Sequence, residues 1–290
     1  MSFRNDFAQT PPGPQREALV YRALLTEGKP TDLSPVTVPG PNGTKITYYV
    51  TRDFLNLDGV WLPMTGVTAQ KVADYFGMYL PTPKMSKQIY AAATTKIMPP
   101  PLSGTGYGQY SAQQVVQSRI GATDAALAYS KRISDAQQGK PGDGIVAGHM
   151  KDITQPPPSG NLGLYGWYGT DGKPVQNSYF TPHSTSDHTE YGSGVRLIDN
   201  RVEVGYPGGK TQEMTMDRLL NGDLHSAISD TAGVAKYDIK KDKSNLAGVE
   251  REVGPASSQV AQYTPAKPTG GRLQMLQRID QFFTGLDKEV

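Results

Sequence analysis

The chain has 290 residues, no cysteine, and 29 basic against 27 acidic side chains, for a formal net charge of +2. The interspersed signs exclude a dedicated nucleic-acid surface, which needs clustered Lys and Arg, and the missing cysteine excludes disulfides, thiolate zinc sites and thiol nucleophiles. No run approaches the roughly 18 apolar residues of a membrane span, and Met1 to Gln15 lacks the apolar core of a signal peptide.

A hydrophobic content of 37%, with 32 Gly and 23 Pro, describes a core with long irregular excursions. The expected class is α+β. A mixed N-terminal α/β region and a helical insertion precede a β-rich C-terminal half, with long Pro/Gly-rich loops and extended termini.

In chain order, residues 1–14 (MSFRNDFAQTPPGP) read as an extended arm, with Pro11, Pro12 and Pro14 favouring polyproline geometry. A mixed region over 15–97 follows. Ala18, Leu19, Leu24 and Leu25 predict a helix that Gly28 and Pro30 end. The turn PGPNG between β-prone runs predicts a hairpin over 36–50. Val60 to Met64 reads as a strand. Thr68 is the expected cap of a helix reaching Phe76, and Thr82 with Pro83 opens another through Thr94.

Residues 98–143 are a Pro/Gly linker and an insertion with helix-compatible stretches at 111–120 and 122–137. From 144 to 253 the pattern turns β: strands are expected over 145–153 and 162–168. Val195 to Ile198 and Arg201 to Val204 would flank a two-residue hairpin turn at Asp199 and Asn200. His149 and Lys151, two residues apart, would share the polar face of an edge strand. Residues 254–290 are a flexible linker and an amphipathic helix with Leu273, Leu276, Ile279, Phe283 and Leu286 on one face.

The densest chemistry lies between His183 and Val204, which reads HSTSDHTEYGSGVRLIDNRVEV and holds two of the chain's four histidines. A histidine titrates near neutral pH and can take a proton from a hydroxyl if a carboxylate fixes its tautomer. That assigns His183 as base, Asp187 as orienter, Tyr191 and Ser193 as hydroxyl participants, and Arg196 as a bidentate clamp on a substrate carboxylate. The metal alternative is a zinc site on His183, Asp187 and His188, with Glu190 close by. No other cofactor is implied.

The run YGSGVRL resembles the Ser-His-Gly-Cys-x-Arg-Leu signature of the L,D-transpeptidases of the peptidoglycan system. The likeness is confined to this loop, and Gly194 and Gly192 stand where that family has its Cys and His. With no Cys, thiol acyl transfer is excluded; the resemblance implies a β-rich scaffold with the loop and Arg196 retained.

Two functions follow as expectations. One is a hydrolase or transferase acting on a peptide or glycan polymer such as cell wall. The other is a non-enzymatic structural subunit of a large assembly such as a phage virion, oligomeric through residues 1–14 and 272–290. Extracytoplasmic and virion-associated locations suit them respectively.

Overall fold

The computed structural model describes residues 2–99, 119–138, 144–169, 171–176, 189 and 191–254. The fold is mixed α+β, as composition and patterning imply.

Ser2 opens helix α1 (Phe3–Gln9), its hydroxyl accepting from the Asn5 N–H, and Phe7 is fully buried. The predicted extended arm of residues 1–14 is therefore helical over Phe3–Gln9. The prolines that suggested polyproline geometry fall after it, where Pro14 starts α2 (Pro14–Glu27) at the position that tolerates a missing N–H. The Arg16 guanidinium covers the Phe7 ring at 4.4 Å and donates to the Thr10 carbonyl at 2.9 Å, so the turn between the helices is locked by this chain's own residues.

The first sheet has the order β1 (Leu33–Pro39), β2 (Lys45–Thr51), β11 (Ile198–Gly205), β12 (Thr211–Thr215), all neighbours antiparallel. The β1–β2 hairpin turns at Asn42 and Gly43, both at positive φ, as the Asn-Gly signal predicts. The turn expected at Asp199 and Asn200 is absent: β11 continues through both, and they form an irregularity where the register to β2 shifts between Ile198 and Val202. Asn200 instead uses its side-chain oxygen to accept from the Met216 N–H at 3.1 Å. The reversal comes later, between Tyr206 and Lys210, where Gly208 and Gly209 both have positive φ.

The second sheet has the order β10 (Ser193–Gly194), β7 (Lys151–Thr154), β8 (Gly163–Tyr168), β9 (Pro174–Gln176), with β10 parallel to β7. Short pairs β3 (Asn56–Leu57) with β4 (Val60–Trp61), and β5 (Thr95–Lys96) with β6 (Val146–Ala147), complete the strands. The expected single strand over 145–153 is split into β6 and β7 by Gly148 at φ +102, so His149 sits in the bend rather than on an edge-strand face.

Helix α3 (Gly66–Phe76) is capped by the Thr65 hydroxyl rather than by Thr68, whose N–H donates to that cap, and it ends at the left-handed Gly77. Helix α4 (Pro83–Ala92) begins at its Thr82 cap as predicted. It touches both sheets: Met85 and Ile89 pack with Val50 and Val202 of the first, and Tyr90 stacks on Tyr168 of the second at 3.4 Å. Helix α5 (Arg119–Gln137) covers Trp61 and Met150 through Tyr129 and Ile133. Helices α6 (Met216–Asn221) and α7 (Leu246–Val253) close the order, α7 held to α2 and α3 by Glu250, which accepts from Tyr21 and Lys71 at 2.6 Å each. The C-terminal helix expected within 272–290 lies outside the described residues.

Candidate functional site

The chain leaves the second sheet at Gly194 and enters the first at Ile198. The intervening residues run beside 51–55: Leu55 N–H donates to Val195 O at 2.8 Å, and Thr51 N–H to Leu197 O at 3.0 Å. Arg196 projects from the middle of this crossover with no exposed surface. Its Nη1 donates to the Thr51 and Arg52 carbonyls at 2.7 and 3.1 Å, and its Nη2 to Val146 O at 2.7 Å. The Phe54 ring lies 4.2 Å from its guanidinium carbon. Its Nε stands 3.5 Å from Asp152 Oδ1, a contact of opposite charge outside hydrogen-bond geometry. Arg196 thus ties the end of β2, β6 and β7 to the crossover.

A second contact between an acid and a base adjoins it. His149, fully buried, meets the Phe54 and Trp61 rings edge-on at 5.2 and 6.3 Å and holds Nε2 3.1 Å from Asp53 Oδ1, again off hydrogen-bond geometry. Its Nδ1 has no hydrogen-bond partner. Asp53 Oδ2 accepts from Gln137 Nε2 of α5 at 2.8 Å and from Trp61 Nε1 at 3.3 Å. Helix α5 makes two further bonds here: the Tyr129 hydroxyl donates to His149 O, and Ser130 Oγ accepts from the Trp61 N–H at 3.1 Å. Trp167 donates to the Tyr129 oxygen at 2.7 Å from a left-handed backbone (φ +59), which costs a non-glycine residue energy unless its surroundings fix it. The Lys151 ammonium, 4.6 Å from the Trp167 ring centroid, is part of that surrounding.

The electrostatics follow from burial. Burial pushes the Asp152 carboxyl up to about 6, against partial relief from Arg196. Burial also pushes Asp53 upward, but His149, Arg196 and the Gln137 bond outweigh it and hold that carboxyl below its ordinary range. A separate buried acid, Glu17, accepts from the Thr65 N–H at 3.0 Å and its hydroxyl at 3.1 Å at the N-terminus of α3, and burial raises it. Thr189 reaches the same carboxylate at 3.5 Å.

Of the predicted loop site, Tyr191, Ser193 and Arg196 are described. Ser193 is fully buried in β10, and Tyr191 is half-buried with its ring 5.1 Å from that of Tyr129. His183, Asp187, His188 and Glu190 lie outside the described residues, so the base, its orienter and the zinc ligands named from sequence have no geometry here. Among the described residues no group of His and carboxylates is arranged to hold a metal ion. Asp53, Trp61, Tyr129 and Gln137 escaped sequence reasoning: they come from a strand exit, a two-residue strand and a distant helix, and no spacing links them.

The two glycines around Ser193 differ in role, and neither has positive φ. A Cβ on Gly194 would stand 2.7 Å from Phe54 and 3.0 Å from Met150, whereas one on Gly192 would meet Trp167 at an ordinary 3.7 Å. Gly194→Ala is expected to lower unfolding free energy by about 1–3 kcal/mol through overpacking. Gly192→Ala should stay within about 0.5 kcal/mol. Urea titrations of the pair check this, and equal losses would show that the contact at Phe54 is not what requires glycine.

No family model matches the chain, and neither a curated protein nor a solved structure matches it. The site is therefore defined by its own geometry: a buried ionic brace at the junction of two sheets.

Proposed function

We propose that the chain is a non-enzymatic structural subunit of a large assembly, such as a virion, that docks on neighbouring chains through its C-terminal segment. The observation that carries this reading is the state of Arg196. The side chain expected to clamp substrate has zero exposure and gives its Nη donors to backbone carbonyls. Ser193 is equally buried. Residues so committed stiffen a scaffold and cannot greet a polymer. Of the two expected docking segments, residues 1–14 lose their claim, since Phe7 fills this chain's own core. Residues 272–290 keep theirs, on the apolar stripe from Leu273 to Leu286 behind a Pro/Gly-rich linker.

Light scattering of the full chain over a range of concentrations tests the reading. A mass well above the 31.4 kDa of one chain is expected, falling to that value when Leu276→Asp and Phe283→Asp are combined. A chain that stays monomeric throughout overturns it. Release of soluble fragments from peptidoglycan by the parent chain, and not by His183→Ala, would favour the hydrolase or transferase reading instead.

A further inference from the structure

The buried ionic centre and the helix that covers it have a consequence beyond bracing. Its carboxylates are Asp53 and Asp152, and its permanent cation is Arg196. Counting the two carboxylates against Arg196 leaves one negative charge in excess, in a place where the Asp53 side chain is 19% exposed, Asp152 is 5% exposed, and His149 and Arg196 are not exposed at all. One proton on Asp152 makes the centre neutral.

Among the described residues, the other charged and ionisable groups around it do not supply that balance. Lys151 points to the opposite face of β7 and sits over Trp167. Arg52 is turned to Asp32, 3.0 Å away, and to the Gly144 carbonyl. Tyr48 of β2 and Tyr168 of β8 face Asp152, and burial holds both phenols far above neutrality. Tyr129 of α5 donates to the His149 carbonyl, and Tyr191 packs on Tyr129.

Helix α5 covers this centre through Tyr129 and Ile133. Among its described side chains, the buried hydrophobic ones are Ala125, Ala126, Ala128, Tyr129 and Ile133. Three polar links converge on the centre: Gln137 to Asp53, Tyr129 to His149, and Ser130 to Trp61. Lifting α5 would admit water to Asp53 and His149. A net buried charge gains from hydration and a neutral centre gains little.

We propose that α5 is a proton-responsive clamp, docked tightly while the centre beneath it carries its proton and loosened when the proton leaves. By linkage, a proton bound more strongly in the docked form stabilises docking as pH falls, by at most about tenfold in the docking equilibrium per pH unit for one proton.

Hydrogen exchange of the full chain at pH 5.5 and 7.5, corrected for intrinsic exchange rates, reads the effect. Protection of α5 amides is expected to lie below that of β2 and β11 amides at both pH values, and to be about tenfold or more greater at pH 5.5 than at pH 7.5. Asp152→Asn, which removes the excess charge, should keep α5 protected at both pH values. An α5 protection that is the same at the two pH values, or that equals the core's at both, overturns the proposal, whether or not the variant folds. So does an Asp152→Asn protein that retains the parent's response.

Discussion

Arg196→Met is expected to lower the unfolding free energy at pH 7 by about 3–5 kcal/mol, the usual cost of removing one partner of a buried ion pair. The loss has two parts. Asp152, 5% exposed, would lose the Nε that partly offsets its burial, leaving its charge stranded unless it takes up a proton, and the carbonyls of Thr51, Arg52 and Val146 would lose the donors now at 2.7–3.1 Å. Against a typical total of about 5–15 kcal/mol, this is a large share. Arg196→Lys should recover only part of it, since one ammonium cannot spread its donors over carbonyls from two separate strand ends. Combining Arg196→Met with Asp152→Asn should cost at least about 1 kcal/mol less than the sum of the single changes, because the stranded charge is gone. Denaturant midpoints at constant slope measure all three. If Arg196→Met and Arg196→Lys both stay within about 1 kcal/mol of the parent, the side chain is not a brace.

The second large effect is on pH. Asp152 is raised from an ordinary 3.8 to about 6, chiefly by burial. A carboxyl raised by folding holds its proton more tightly in the folded chain. Its contribution is therefore complete below the ordinary value and is lost as pH climbs through about 6. A rise of that size is worth about 3 kcal/mol of stability between the two ends of the window. Glu17, raised by burial, acts in the same direction. Asp53 and Glu250 act oppositely: both are held below their ordinary range, so they take stability away only as pH falls below that range. Thermal unfolding should accordingly show a midpoint that rises from pH 7 towards pH 5 and turns down in stronger acid. Asp152→Asn should flatten most of the rise. A parent midpoint that climbs with pH over the same interval contradicts the assignment.

What the sequence made legible was local. Asn42 with Gly43, Thr82 with Pro83, and the terminal Gly77 each carry their structural instruction within a few residues, and each appears where it was expected. The false turn at Asp199 and Asn200 shows the limit: the pair does interrupt the ladder, as a register shift between Ile198 and Val202, but pairing with β2 on both sides of it keeps the strand going. The same limit governs the site. Arg196 stood out as the loop's fixed point, but whether an arginine faces solvent or three carbonyls depends on where residues 51, 52 and 146 arrive. His149 read as an edge residue because nothing nearby in sequence reveals Gly148 at positive φ or the cover supplied by Tyr129.

The sheet order also bears on how the chain is made. Strand β2, at 45–51, finds its inner neighbour only at 198–205. During synthesis from the N-terminus the β1–β2 hairpin must wait, one long edge unpaired, until some 150 further residues have emerged. An open edge of that kind is a template for pairing with other chains, and distant pairings close slowly. Burial of Arg196 also awaits that late crossover, so the two sheets gain their shared brace only after β11 arrives.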